Sequence, residues 1–138
     1  MKPTLLDTGA IVALLDRSEH FHERAVETVE ALEAPLVTCE AVIAESCYLL
    51  RNLRGAAEAV LENVATGVFQ IPFRLSDSAT DVQRIIRKYS DLPADFADAC
   101  LIYLAGELRT GDVLTLDKDF AIYRWGANRP FRPLIALQ

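Results

Sequence analysis

Thr4-Leu5-Leu6-Asp7-Thr8-Gly9-Ala10-Ile11-Val12-Ala13-Leu14-Leu15 is the stretch that decides the fold. A short apolar run ends at an acid, and helical spacing starts at once, with Thr8 as the expected N-cap. A strand that hands straight over to a helix opens a parallel crossover unit. The pattern then repeats. A helix is expected from about His20 to Glu33, with Phe21, Ala25, Val29 and Leu32 on one face and Glu23, Glu27 and Glu30 on the other. Pro35 breaks it, and Leu36-Val37-Thr38 reads as a short buried strand. Thr38 is the expected cap of a helix from about Cys39 to Leu53, and a further helix follows Gly55 and ends near Gly67.

The second half continues in kind. Val68 to Pro72 reads as a strand, and the terminal Pro marks it as an edge. Ser76 or Asp77 opens a charged helix to about Tyr89, and Asp91-Leu92-Pro93 is a loop and helix start leading into Ala94 to Arg109. Gly111 ends that element. Asp112 to Leu116 is a strand, Asp117 caps a short helix to about Trp125, and Pro133 to Leu137 forms a last strand. Strands alternating with helices predict one α/β domain over residues 1–138, a three-layer α/β/α sandwich with a mostly parallel central sheet.

Composition agrees. The chain has 138 residues, 51% hydrophobic and 25% charged, which excludes a collagenous, disordered or disulfide-stapled chain. No apolar run nears the roughly 18 residues of a membrane span. Met1 to Leu6 carries one Lys and reads into a strand rather than a signal peptide, so a cytoplasmic protein without membrane contact is expected. Cys39, Cys47 and Cys100 lack CxxC spacing and read as reduced core residues. The net charge of −6 disfavours nucleic acid at first sight. Eleven of the fourteen basic residues are Arg, however, the better bidentate binder of phosphate. If four carboxylates hold a metal, the rest of the molecule carries only about −2.

Four acids stand out. Asp7 and Asp117 each end an apolar strand, where open parallel sheets bind ligands, although Asp is also a favoured helix cap. Glu45 has Ala41, Val42, Tyr48 and Leu49 as its neighbours one turn away, and Asp98 has Ala94, Leu101 and Ile102. A carboxylate on a buried stripe costs several kcal/mol unless it is paired or holds a metal. The plainer account is an ion pair to Arg51 or Arg109, or a stripe that ends at the surface. Asp95 and Asp119 are first-turn acids and secondary candidates, more readily explained by the helix dipole. An all-oxygen set without His or Cys suits Mg²⁺ or Mn²⁺ and disfavours zinc. Such an ion commonly serves phosphodiester hydrolysis.

Other chemistries fare worse. The sequence has no P-loop, GxGxxG or GxSxG. His20 and His22 read as solvated, and the tyrosines fall mostly at core spacing, with Tyr123, Arg124 and Trp125 expected to pack rather than to bind. Leu5 to Ala10 matches the DTG loop of retroviral aspartic proteases, but that class is an all-β dimer, and here helix follows helix. A haloacid-dehalogenase-type phosphatase would need a second Asp where Gly9 stands.

Taken in order, Asp7-Thr8-Gly9, Glu45, Ala97-Asp98-Ala99 and Thr115-Leu116-Asp117-Lys118-Asp119-Phe120 resemble a PIN domain, more narrowly the VapC-type toxins of toxin–antitoxin pairs. The resemblance covers essentially the whole chain. It implies Asp7, Glu45, Asp98 and Asp117 as catalytic and metal-binding residues, with Thr8 and Thr115 supporting them. It also implies a Mg²⁺- or Mn²⁺-dependent endoribonuclease acting on tRNA or ribosomal RNA (rRNA), often a homodimer, restrained by a cognate antitoxin. RNA contacts would fall to Arg residues such as Arg17, Arg51, Arg54, Arg124, Arg129 and Arg132. The competing class is a PIN-fold protein that binds metal or a partner without turnover. An RNA-processing nuclease outside a toxin–antitoxin pair, a phosphatase and a single-strand DNA nuclease share the same site logic.

Overall fold

A computed structural model describes residues 2–92 and 94–137, so the helix start expected at Pro93 lies outside the described residues. β1 (Thr4–Leu6), β2 (Leu36–Val37), β3 (Phe69–Gln70), β4 (Asp112–Leu114) and β7 (Arg132–Pro133) form one sheet in the order β3-β2-β1-β4-β7. All four pairings are parallel, with Leu5 opposite both Val37 and Val113. The strands are brief, and β1 is buried along its whole length. That burial on both faces is why it reads as an unbroken apolar run rather than an alternating one.

α1 (Thr8–Leu15) and α2 (His22–Ala31) connect β1 to β2, and α3 (Glu40–Leu49) and α4 (Ala56–Ala65) connect β2 to β3. Both crossovers step the same way across the sheet. After β3 the chain doubles back past β1, through α5 (Leu75–Lys88) and α6 (Phe96–Leu108), to β4. Right-handed crossovers that reverse direction must use opposite faces. α1 to α4 accordingly pack on one another, α5 packs on α6, and the two groups approach where α3 meets α6. The three-layer α/β/α architecture expected from the sequence is therefore present. The reversal leaves a crevice between the carboxyl ends of β1 and β4, the position at which such sheets bind ligands.

Several local expectations need correction. Asp7, not Thr8, caps α1, accepting from the Thr8 amide at 2.8 Å. Thr38 does not cap α3; its hydroxyl donates to the Leu6 carbonyl at 2.8 Å and ties β2 to β1. α6 is closed by Arg109 in the left-handed region (φ 54°) rather than by Gly111. Gly111 matters for another reason, because a Cβ there would run into the Trp125 indole. The helix expected from Asp117 to Trp125 is only a 3-10 turn at Lys118–Ala121. It is followed by an antiparallel hairpin of β5 (Arg124–Trp125) and β6 (Arg129–Pro130), closed by the Trp125 indole N–H donating to the Pro130 carbonyl at 3.0 Å. The last strand comes earlier and is shorter than Pro133 to Leu137, because the Arg132 amide pairs with the Gly111 carbonyl.

Candidate metal centre

The crevice is an open cleft of about 350 Å³ lined by Asp7, Thr8, Gly9, Glu45, Leu49, Asp95, Asp98, Leu116 and Asp117. A cleft beside Leu53 and Arg54 is larger, about 520 Å³. Size does not single out the site; its chemistry does. Asp7, Asp98 and Asp117 each present an oxygen within 4.8 Å of the others. Asp7 and Asp98 are buried and Asp117 is half-buried.

Each carboxylate is held by the backbone that delivers it. Asp7 follows β1, whose ladder with β4 is extended by the Asp7 amide donating to the Leu114 carbonyl at 3.0 Å. Its Oδ1 accepts from the Thr8 amide and its Oδ2 from the Thr115 hydroxyl, both at 2.8 Å. Thr115 accepts in turn from the Asp117 amide at 3.0 Å, which locks the two strand ends together. Asp117 caps the 3-10 turn through its Oδ1, taken by the Asp119 amide at 2.9 Å. Asp98 sits in the first turn of α6, where Asp95 and Asp98 form a reciprocal capping box. Asp95 is thus an exposed cap that lines the cleft, and Asp119 contributes its amide.

Like charge and burial leave a mark. Burial, followed by the Asp117 and Asp95 charges, pushes the Asp7 carboxyl up to about 6 against the Thr115 and Thr8 hydrogen bonds. Burial, then Asp95, Asp7 and Asp117, push Asp98 up to about 7. Among the described residues the ion pairs are Arg74–Asp77, Arg84–Asp81 and Arg132–Asp112, none of them at the cleft. The pairings to Arg51 or Arg109 allowed by the sequence do not form; Arg51 donates to the Tyr48 carbonyl and stacks on its ring. Three converging oxygen donors without a protein cation, beside a buried Thr8 hydroxyl that has no partner, fit a hard divalent cation.

Glu45 lies on the same cleft but outside the close trio. The face of α3 it occupies is buried only at its amino-terminal side: Val42 is in the core and Ala41 half-buried, whereas Tyr48 is 61% and Leu49 54% exposed and Glu45 itself is exposed. The stripe ends at the surface, where Glu45 and Leu49 line the cleft, and Tyr48 is no core residue. His22, expected to be solvated, is half-buried with Nδ1 2.7 Å from the Ala13 carbonyl. Tyr123, expected to pack, is fully buried, and it also donates its hydroxyl to Asp98 Oδ2 at 3.2 Å, a contact the sequence did not suggest. No local signal joins residues so far apart in the chain.

The PIN domain family model matches residues 4–126. Ribonuclease VapC26 of Mycobacterium tuberculosis is 33% identical over 116 residues, covering 83% of this chain and 86% of that protein. The crystal structure of Mycobacterium tuberculosis VapC20, described as a Sarcin-Ricin loop cleaving toxin, superposes with a TM-score of 0.81 at 19% identity. It covers 92% of this chain and 99% of that one, so the two share a fold.

Proposed function

The chain belongs to the PIN domain family, and on that premise we propose that it is a Mg²⁺- or Mn²⁺-dependent endoribonuclease, the toxin of a toxin–antitoxin pair. The observation that carries this reading is the trio of Asp7, Asp98 and Asp117, gathered within 4.8 Å and, among the described residues, in no ion pair. The relation to a ribonuclease, VapC26, supports RNA as the substrate class.

Asp7, Asp98 and Asp117 would hold the cation, with Glu45 joining from the α3 wall of the cleft. The bound cation supplies charge neutralisation at the scissile phosphate and a more acidic water for in-line attack. The protein supplies the frame. Thr8 and Thr115 fix both oxygens of Asp7, and the Asp119 amide fixes Asp117. Asp7 and Asp98 would have to be ionised to hold the cation, so cleavage would rise with pH. The partners in this reading are tRNA or rRNA, a cognate antitoxin and a second copy of the chain, in the cytoplasm.

The test is cleavage of separate tRNA and rRNA substrates with Mn²⁺, with Mg²⁺ and with EDTA. Metal-dependent cutting that Asp7→Asn and Asp98→Asn both lose is the expected result. Mn²⁺ binding without cutting of any RNA favours a PIN-fold binding protein instead.

A further inference from the structure

The hairpin side of the site contains a side chain that neither binds the cleft nor only fills the core. Tyr123 is fully buried, its ring edge-on to Phe120 at 5.2 Å and to Tyr89 at 5.1 Å. Its amide donates to the Asp119 carbonyl at 3.0 Å, and the Asp119 amide binds Asp117 Oδ1. Backbone and ring therefore fix where the phenol oxygen lies. That oxygen donates to Asp98 Oδ2, the oxygen that also faces the Asp95 amide at 3.4 Å. Among the described residues no protein donor reaches Asp98 Oδ1.

Resting on the metal-site reading above, we propose that Tyr123 is the positioning residue of Asp98: it occupies Oδ2 from the buried side and so turns Oδ1 toward the cation. The segment from Asp117 to Tyr123 then does two jobs. It delivers one ligand of the site and orients another that belongs to α6.

The test is Mn²⁺ affinity by calorimetry for wild type, Tyr123→Phe and Phe131→Leu, each with a thermal midpoint. Phe131 packs on Phe120 at 5.2 Å, on the same aromatic cluster, without touching Asp98. Groups behind metal ligands typically govern affinity by 10–100-fold, so Tyr123→Phe is expected to weaken Mn²⁺ about 10-fold and Phe131→Leu to lower only the midpoint. Cleavage by Tyr123→Phe should recover at saturating Mn²⁺ with the KM for RNA unchanged. Equal affinity in wild type and Tyr123→Phe overturns the inference alone, as does an equal loss in Phe131→Leu. No Mn²⁺ binding by wild type overturns the metal reading with it. A measurement on wild type guards against a variant that fails to fold. Mg²⁺ titration should change the near-ultraviolet tyrosine circular dichroism along the binding isotherm, and a flat spectrum across saturation overturns the inference.

Discussion

At the amino end of β4, Asp112 receives a two-pronged contact from Arg132, Nε to Oδ1 at 2.8 Å and Nη2 to Oδ2 at 2.9 Å. That contact holds its carboxyl below the usual range. Beyond the carboxyl end of the same strand stands Asp117, with Asp7 at the end of the adjacent strand, and there burial and neighbouring acids hold Asp7 well above that range. One strand therefore carries a neutralised carboxylate at one end and an unneutralised cluster at the other. The first contact joins an edge strand to its neighbour and is half in solvent, where an ion pair contributes little. The second cluster costs stability in the empty protein. The difference separates a carboxylate that the fold neutralises from a cluster that it leaves unneutralised.

The sharpest way to break this contrast is to neutralise the costly end. Asp7→Asn or Asp98→Asn should lower RNA cleavage by more than about 100-fold, beyond the range typical of residues behind metal ligands. The same variants should raise the thermal midpoint of the metal-free protein. A cluster built for stability would show the opposite sign in melting experiments.

The pH dependence follows from the same groups. Between the ordinary carboxylate value near 3.8 and the folded value of about 6, native Asp7 holds more proton than the unfolded chain does. Unfolding free energy therefore falls as pH rises through that window, by about 3 kcal/mol for Asp7 alone. Metal-free protein should melt higher at pH 5 than at pH 8, and saturating Mg²⁺ should reduce the difference. Asp7→Asn should make the profile shallower while leaving the part that Asp98 carries, and a slope unchanged in that variant would assign it to other groups.

Glu45 tests the border of the cluster. Exposed on α3 and outside the close trio, it should matter less than Asp98, and Glu45→Gln should lose about 10-fold in cleavage. Thermal stability should barely move, because no buried contact is lost. A loss as large as that of Asp98→Asn would place Glu45 with the trio.

The smallest effect belongs to the neutralised end of β4. Asp112→Asn should leave cleavage unchanged and lower the thermal midpoint by less than about 4 °C. Melting and RNA assays on the same preparation check both halves of that expectation.

Much of this could be read from the sequence, though not always for the right reason. Asp7 and Asp117 were legible because a strand that turns directly into a helix exposes its last residue at the carboxyl end of a parallel sheet. Asp98 was legible as a charge on an apolar helix face, and it is buried. Glu45 was found by the same argument although the face it interrupts is buried at Val42 and exposed at Tyr48 and Leu49. Tyr48 and Leu49 look like core by periodicity, and periodicity cannot tell a helix face covered by a layer from one that walls a cleft. The β5–β6 hairpin was missed because its strands hold two residues each, too few to show alternation. The left-handed cap at Arg109 carries no local signature, since a glycine stands two positions later and invites the assignment. Tyr123 was legible as a packing residue, but its bond to Asp98 was not: the partner lies in another element, and only the folded chain brings them together.

Thr115 and Asp7 are bonded across 108 positions of chain. A ribosome delivers Asp7 early, Glu45 next, and the β4 residues only after both helical layers have been made. Domains fold as units as they emerge, and the central strand β1 lacks its β4 neighbour until Asp112 to Leu114 appear. A nascent chain, or a product truncated before β4, therefore carries scattered acids and no assembled trio. The order of the strands thus sets when the trio can first assemble, late in the chain's own synthesis.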